Sequence, residues 1–233
     1  VRLPFLLSVP HAGLEVPQEV ESYCILSPEE IVRDGDEGAR AIYDLMDDVA
    51  AFVTTDVARA IVDMNRAEDD RRRDGVVKTH TCWNVPVYDP FPPGDVIGQL
   101  LDRYHRPYHQ MLRELARTGV RMGIDCHTMA ATGPPVGPDA GRPRPALCLS
   151  TGDGTCPADW IPVIQRAFED AFGETVALNT PFTGGYIILS HSLEVPWIQL
   201  ELSRRPFLSD PEKRGRILRA LREICQRLPP DGG

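Results

Sequence analysis

Two histidines stand just past short apolar runs that lie far apart in the chain. His11 follows Phe5-Leu6-Leu7-Ser8-Val9, and His127 follows Val120-Arg121-Met122-Gly123-Ile124-Asp125-Cys126. Asp36 stands at the head of a periodic segment between them. Two imidazoles and one carboxylate are a ligand set of catalytic zinc, which keeps its remaining position open. An ion held this way lowers the pKa of bound water to about 7. Glu201 interrupts the apolar run Trp197-Ile198-Gln199-Leu200-Glu201-Leu202, and a buried carboxylate is costly unless it has a partner or a task. The task that fits is carrying a proton from water to a departing amine. Arg66 offers a planar fork for a substrate carboxylate. The chemistry is metal-assisted amide hydrolysis, with His11, Asp36 and His127 as ligands of Zn2+, Glu201 as base and acid, and Arg66 as clamp. Another divalent ion suits the same nitrogen and oxygen donors.

Each residue also has a plainer reading. A strand-end histidine can be a satisfied polar residue, Asp36 can be a helix cap, and Arg66 can be a surface ion-pair partner. Asp34 or Glu37 could replace Asp36 as the carboxylate ligand. Asp125 could hold a ligand's ring from behind or face away. His105 and His109, four residues apart, are a rival metal pair, but no acid of the H-E-x-x-H kind lies between them and Pro107 disturbs their helix. The six cysteines form no C-x-x-C pair, which excludes a zinc ribbon.

The elements that must position these groups follow from periodicity and turn residues. Strands are expected over 5–9, 51–55, 60–64, 120–126, 146–150, 175–179, 185–190 and 197–202. Ser27 or Asp34 could cap short helical turns, and helices are expected over 37–51, from 95 to about 118 with a kink at Pro107, over 157–172 and over 211–228. The segments 67–93 and 132–145 read as loops, the first too long to be idle in a compact domain. The loop 181–185 carries two glycines that permit close backbone approach to a ligand. Because Gly184-Gly185 is read as preceding a strand, it is a weak phosphate-loop signal. The alternation predicts an α/β fold with a mixed, largely parallel sheet and helices on both faces. Ligands bind such sheets at the carboxyl ends of the strands.

The 233 residues suffice for one sizeable core, so a single domain over 1–233 is expected. A net charge of -9 argues against a nucleic-acid surface, and Arg71-Arg72-Arg73 adjoins Glu68-Asp69-Asp70 as a solvated loop. No segment approaches the roughly 18 apolar residues of a membrane span, and the amino terminus lacks a signal-peptide pattern. A cytoplasmic protein with no membrane partner is expected.

Taken together, the chain resembles the N-formylglutamate amidohydrolase family. The matching pieces, in family order, are Val9-Pro10-His11-Ala12-Gly13, Arg33-Asp34-Gly35-Asp36, Val62-Asp63-Met64-Asn65-Arg66, Tyr104-His105-Arg106-Pro107-Tyr108-His109, Asp125-Cys126-His127-Thr128-Met129, Asn179-Thr180-Pro181-Phe182-Thr183-Gly184-Gly185-Tyr186 and Gln199-Leu200-Glu201-Leu202-Ser203-Arg204. The resemblance implies a three-layer αβα sandwich like that of zinc carboxypeptidases and aspartoacylases. It implies hydrolysis of a small N-acyl amino acid, with N-formyl-L-glutamate, giving formate and L-glutamate, the leading substrate. It also implies that Asn65 and Arg66 meet the substrate carboxylate, while His109, Thr183, Gly184 and Tyr186 line the pocket. Glu37, where an aromatic is expected, and the charged 66–95 region leave room for another acyl group or amino acid. A zinc carboxypeptidase or amidase acting on a peptide or cell-wall fragment is the nearest alternative. A metal- or ligand-binding module without turnover is the alternative from another class.

Overall fold

Alternation of side chains along the central strands divides the interior in two. In the computed structural model, which describes residues 2–137 and 139–228, β1 (Leu3–Val9) sends Phe5, Leu7 and Val9 to one face. Leu6 goes to the other, as does Ser8, whose hydroxyl lies 2.9 Å from that of Tyr108. Met122, Ile124 and Cys126 of β3 (Met122–Met129) join the first face, leaving Gly123, Asp125 and His127 to the second. In β6 (Trp197–Ser203), Ile198, Leu200 and Leu202 join the first face, and Trp197, Gln199 and Glu201 turn to the second.

The sheet has six strands in the order β2-β1-β3-β6-β4-β5, with β2 (Val49–Thr54), β4 (Leu147–Ser150) and β5 (Val176–Leu178) completing it. β2, β1, β3 and β6 run parallel; β4 is antiparallel to β6 and parallel to β5. The first face is covered by α2 (Ala39–Ile42), α5 (Trp160–Phe172) and α7 (Asp210–Arg227). The second carries α1 (Pro28–Asp34), α3 (Gly94–Leu100), α4 (Arg106–Ala116) and α6 (Tyr186–His191). This is the expected three-layer αβα sandwich. Gly123 lets β6 close on β3: a Cβ there would come within 2.3 Å of the Trp197 ring. The register sets Asp125 beside Gln199 and His127 beside Glu201.

Four local expectations are corrected. The helix over 37–51 is a single turn, Ala39–Ile42, ending at Tyr43. Ile42, Leu45 and Val49 are buried as expected, but Asp44 and Met46 are exposed and the chain turns through Asp47 and Asp48 to start β2 at Val49. Residues 60–64 are a buried turn rather than a strand, because the Ala58 carbonyl accepts from both Ile61 and Val62 and Asp63 N–H donates to Val76. Residues 185–190 belong to helix α6, whose first turn is held by side chains: Gly185 N–H donates to Gln199 and Ile187 N–H to Asn65. Short apolar runs are ambiguous between strand and helix, and here the side-chain acceptors decide. The kink expected at Pro107 is a π turn, Leu101–His105, preceding α4; proline crowds the carbonyl one turn back, and the wider turn relieves it.

The remaining helices agree with expectation, and Ser27 caps α1 through a reciprocal bond with Glu30. Residues 67–93 contain neither helix nor strand, only isolated bridges, and the 132–145 loop, in which Pro138 lies outside the described residues, is likewise irregular. Among the described residues no helix is long and apolar enough to cross a membrane.

Candidate active site

The carboxyl ends of β1, β3 and β6 open onto a cavity of about 410 Å3. His11 reaches it from the turn after β1. Its backbone carbonyl accepts from Asp36 N–H at 3.1 Å, which pins the α1–α2 junction over the strand end. His127 does not follow its strand but lies inside β3, and Thr128 N–H donates to Asp36 Oδ2 at 3.0 Å. The two rings and the carboxylate converge: His11, Asp36 and His127 present one ligand atom each within 4.8 Å of one another, and all three are buried.

The protons of the two rings are fixed from behind. His11 Nε2 faces Asp63 Oδ1 at 2.8 Å, and His127 Nε2 faces Asp125 Oδ2 at 2.7 Å. A carboxylate only accepts, so each Nε2 donates and each Nδ1 carries a lone pair. These two Nδ1 atoms stand 3.1 Å apart, and Asp36 Oδ2 lies 3.1 Å from that of His127. Three electron-rich atoms pointing at one spot require a positive charge among them. Burial opposes charge on the His127 ring, yet Asp125 and Asp36 draw its pKa well above the ordinary value, the same demand for a cation in another form. Asp36 is held well below the carboxylate range, His11 and His127 overcoming the cost of its burial. The group could hold a metal ion, and it fits one in donor type and protonation. Asp34 and Glu37 are not part of it: Asp34 bonds Lys78 Nζ at 3.0 Å and Cys82 N–H at 2.8 Å. Among the described residues, His105 and His109 form no metal-holding group.

Glu201 lines the cavity beside His127, with Gln199 donating to its Oε1 at 2.9 Å. Burial pushes its carboxyl up to about 7, against the pull of His127 and with the push of Asp36. A carboxyl poised near neutrality can both accept and return a proton. Arg66 lines the cavity, its guanidinium donating to the carbonyls of Asn65 and Asp74 and approaching the Asp74 carboxylate at 3.4 Å. Asn65 also lines it, but its Nδ2 donates to Asp125 at 3.0 Å and its Oδ1 accepts from Ile187, so the side chain braces the site. Gly185 allows that brace, since a Cβ there would fall 2.2 Å from the Asn65 amide.

Thr183 and Gly184 are among the residues that line the cavity, and His109 and Tyr186 are not. Both nitrogens of His109 are engaged, with Met64 O and His191, and Tyr186 packs edge-on against His109 with centroids 5.2 Å apart. They support the wall from behind.

Several lining residues were not singled out from sequence. Arg59 reaches Asp36 at 3.6 Å and Asp63 at 3.2 Å. Lys78, 1% exposed, lies between Asp34 and Asp63 at 3.0 and 3.4 Å. It is the anchor by which the 67–93 loop reaches the carboxylate behind His11. With Arg66, Arg144 and Arg204, five basic side chains line the cavity; Arg59 and Lys78 pair with the buried acids, Arg144 with Asp139 and Arg66 with Asp74, while Arg204 donates to the carbonyls of Gly35 and Thr128. Only the loop's length pointed to Lys78, and nothing in the pattern around Arg59 marked it.

Residues 3–208 match the sequence model of the N-formylglutamate amidohydrolase family. An N-formylglutamate deformylase of Pseudomonas putida is 27% identical over 228 residues, covering 91% of this chain and 84% of that protein. The crystal structure of an N-formylglutamate amidohydrolase from Ralstonia eutropha JMP134 has a TM-score of 0.79 at 20% identity, over 96% of this chain and 93% of that one. A gene product of Agrobacterium tumefaciens gives 0.77 at 16% identity, over 96% and 91%. At those identities the two structures establish the shared fold. With the match to the sequence model running across most of its length, the chain belongs to the N-formylglutamate amidohydrolase family.

Proposed function

We propose that the protein is a zinc-dependent amidohydrolase of small N-acyl amino acids, with N-formyl-L-glutamate as leading substrate and formate and L-glutamate as products. The observation that carries the reading is the register of β3 and β6, which sets Glu201 beside His127 in a cavity that Arg66 and Arg204 also line. Zinc held by His11, Asp36 and His127 would supply a Lewis acid that polarises the acyl carbonyl and acidifies water.

The chain's own residues do the rest. Glu201, ionised, takes a proton from water as the oxygen attacks the acyl carbon, and returns it to the nitrogen as the C–N bond breaks. Arg66 holds a carboxylate of the amino acid, and Arg204, which lines the same cavity with backbone carbonyls as its hydrogen-bond partners, suits a second. Arg59, beside Asp36 and Asp63, keeps those acids ionised and so keeps the imidazoles oriented. Residues 181–185 line one wall of the cavity.

The test compares zinc-loaded enzyme on N-formyl-L-glutamate, N-acetyl-L-glutamate and N-formyl-L-leucine. Preference for the first over the third supports a dicarboxylate site, and equal rates on glutamate and leucine derivatives would contradict it. Preference for the acetyl compound would change the acyl group and leave the mechanism in place.

A further inference from the structure

We propose that His105 and His109 are positioning residues of this enzyme: by holding the backbone carbonyls on either side of Asn65 they present Arg66 to the substrate. The inference rests on the reading of Arg66 as the clamp for a substrate carboxylate. The segment Met64-Asn65-Arg66 lies in no helix or strand, so no ladder satisfies its backbone. His105, at the end of the π turn, places Nε2 2.8 Å from the Arg66 carbonyl. His109, one turn later in α4, places Nε2 2.9 Å from the Met64 carbonyl.

A carbonyl only accepts, so both Nε2 atoms carry protons and donate. The other nitrogen of His109 then has a lone pair, and His191 Nε2, 2.9 Å away, donates to it. The protons are thereby ordered from His191 through His109 to Met64. All three histidines are buried, and burial holds each below the ordinary pKa, His109 at about 3 and His191 against the pull of Glu194, whose carboxylate lies 3.3 Å from its Nδ1. The π turn before Pro107 and the pairing of histidines in Tyr104-His105-Arg106-Pro107-Tyr108-His109 thus serve one end: two donors aimed at the carbonyls of the two residues that flank Asn65. A small shift of that backbone moves the Arg66 fork away from its ligand and weakens the paired hydrogen bonds to the substrate carboxylate.

The test measures kcat and KM of the zinc-loaded enzyme on N-formyl-L-glutamate, with the dissociation constant for L-glutamate read by calorimetry as a measure independent of turnover. Arg66→Ala is expected to raise KM and that constant about tenfold or more, and His105→Leu to raise both about tenfold with kcat within about threefold of the parent. His105→Gln, whose amide N–H reaches the same carbonyl, is expected to restore most of the loss. In the Arg66→Ala background, His105→Leu is expected to add less than about twofold. If His105→Leu does not fold, His105→Asn, too short to reach, is compared with His105→Gln. Should Arg66→Ala weaken binding while these His105 variants do not, the positioning role is overturned and the clamp stands. Should Arg66→Ala leave both constants unchanged, the clamp reading fails, and the positioning role with it.

Discussion

The Nδ1 atoms of His11 and His127 face each other across 3.1 Å, each on a ring whose Nε2 donates to a buried carboxylate. That relationship leaves two lone pairs and the Asp36 carboxylate around one point, which a divalent cation would resolve. The carboxylates behind the rings are as much part of the site as the ligands. Asp125→Ala frees the His127 ring to turn and is expected to weaken zinc affinity about 10–100-fold. Competition with a chromophoric chelator measures it; an unchanged affinity would remove Asp125 from the site's design.

Glu201→Gln keeps the size of the side chain and its partner Gln199 while removing the proton carrier. It is expected to bind zinc as the parent does and to lose about 10²–10⁴-fold in kcat. Normal turnover by this variant would take Glu201 out of the mechanism.

The pH dependence has a definite sign. In the proposed mechanism Glu201 must be ionised to accept a proton, so kcat/KM is expected to fall as pH drops through its pKa. Burial places that carboxyl at about 7 beside the bare histidines, and a cation on them would favour the ionised form, so the acid limb of the zinc-loaded protein is expected below that value. Protonation of the histidines releases the metal at still lower pH. An acid limb that moves upward when zinc is added would contradict this order.

Lys78→Met leaves Asp34 and Asp63 buried without their shared cation, and is expected to cost about 3–5 kcal/mol in urea unfolding. The pair also has a pH signature. Lys78 and Arg59 overcome the burial of Asp34 and hold it at about 2, below its unfolded value. Its contribution is therefore complete above the unfolded pKa of about 4 and is lost as pH falls toward 2. Asp34→Asn should flatten that part of the stability profile.

Gly123→Ala tests the register. A Cβ within 2.3 Å of the Trp197 ring forces β6 away from β3, which is expected to destabilise by about 1–3 kcal/mol and to lower kcat by displacing Glu201 from His127. Unchanged stability would mean that the sheet absorbs the methyl without moving.

What could be read from the chain was what rests on period and punctuation. The alternation Ile124-Asp125-Cys126-His127 and Ile198-Gln199-Leu200-Glu201-Leu202 announces strands with one apolar and one polar face, and the structure places both polar faces on one cavity. Residues 60–64 and 185–190 have the sequence pattern of strands, and their actual geometry is fixed by groups distant in sequence. Val76 accepts from Asp63, while Gln199 and Asn65 accept from the first turn of α6. Arg59 and Lys78 escaped for the same reason: a buried cation is recognisable only once its carboxylates are in place. His105 and His109 carried a visible spacing, but the carbonyls they serve belong to a segment some forty residues earlier.

The most direct test of the central claim is a zinc titration of metal-free protein with amine release from N-formyl-L-glutamate followed on the same samples. The account predicts that activity rises with zinc and saturates near one ion per chain, and that His127→Ala neither retains the ion nor turns over. Turnover by metal-free protein, or saturation of the site without release of glutamate or any other amino acid from a panel of N-formyl and N-acetyl derivatives, would contradict it.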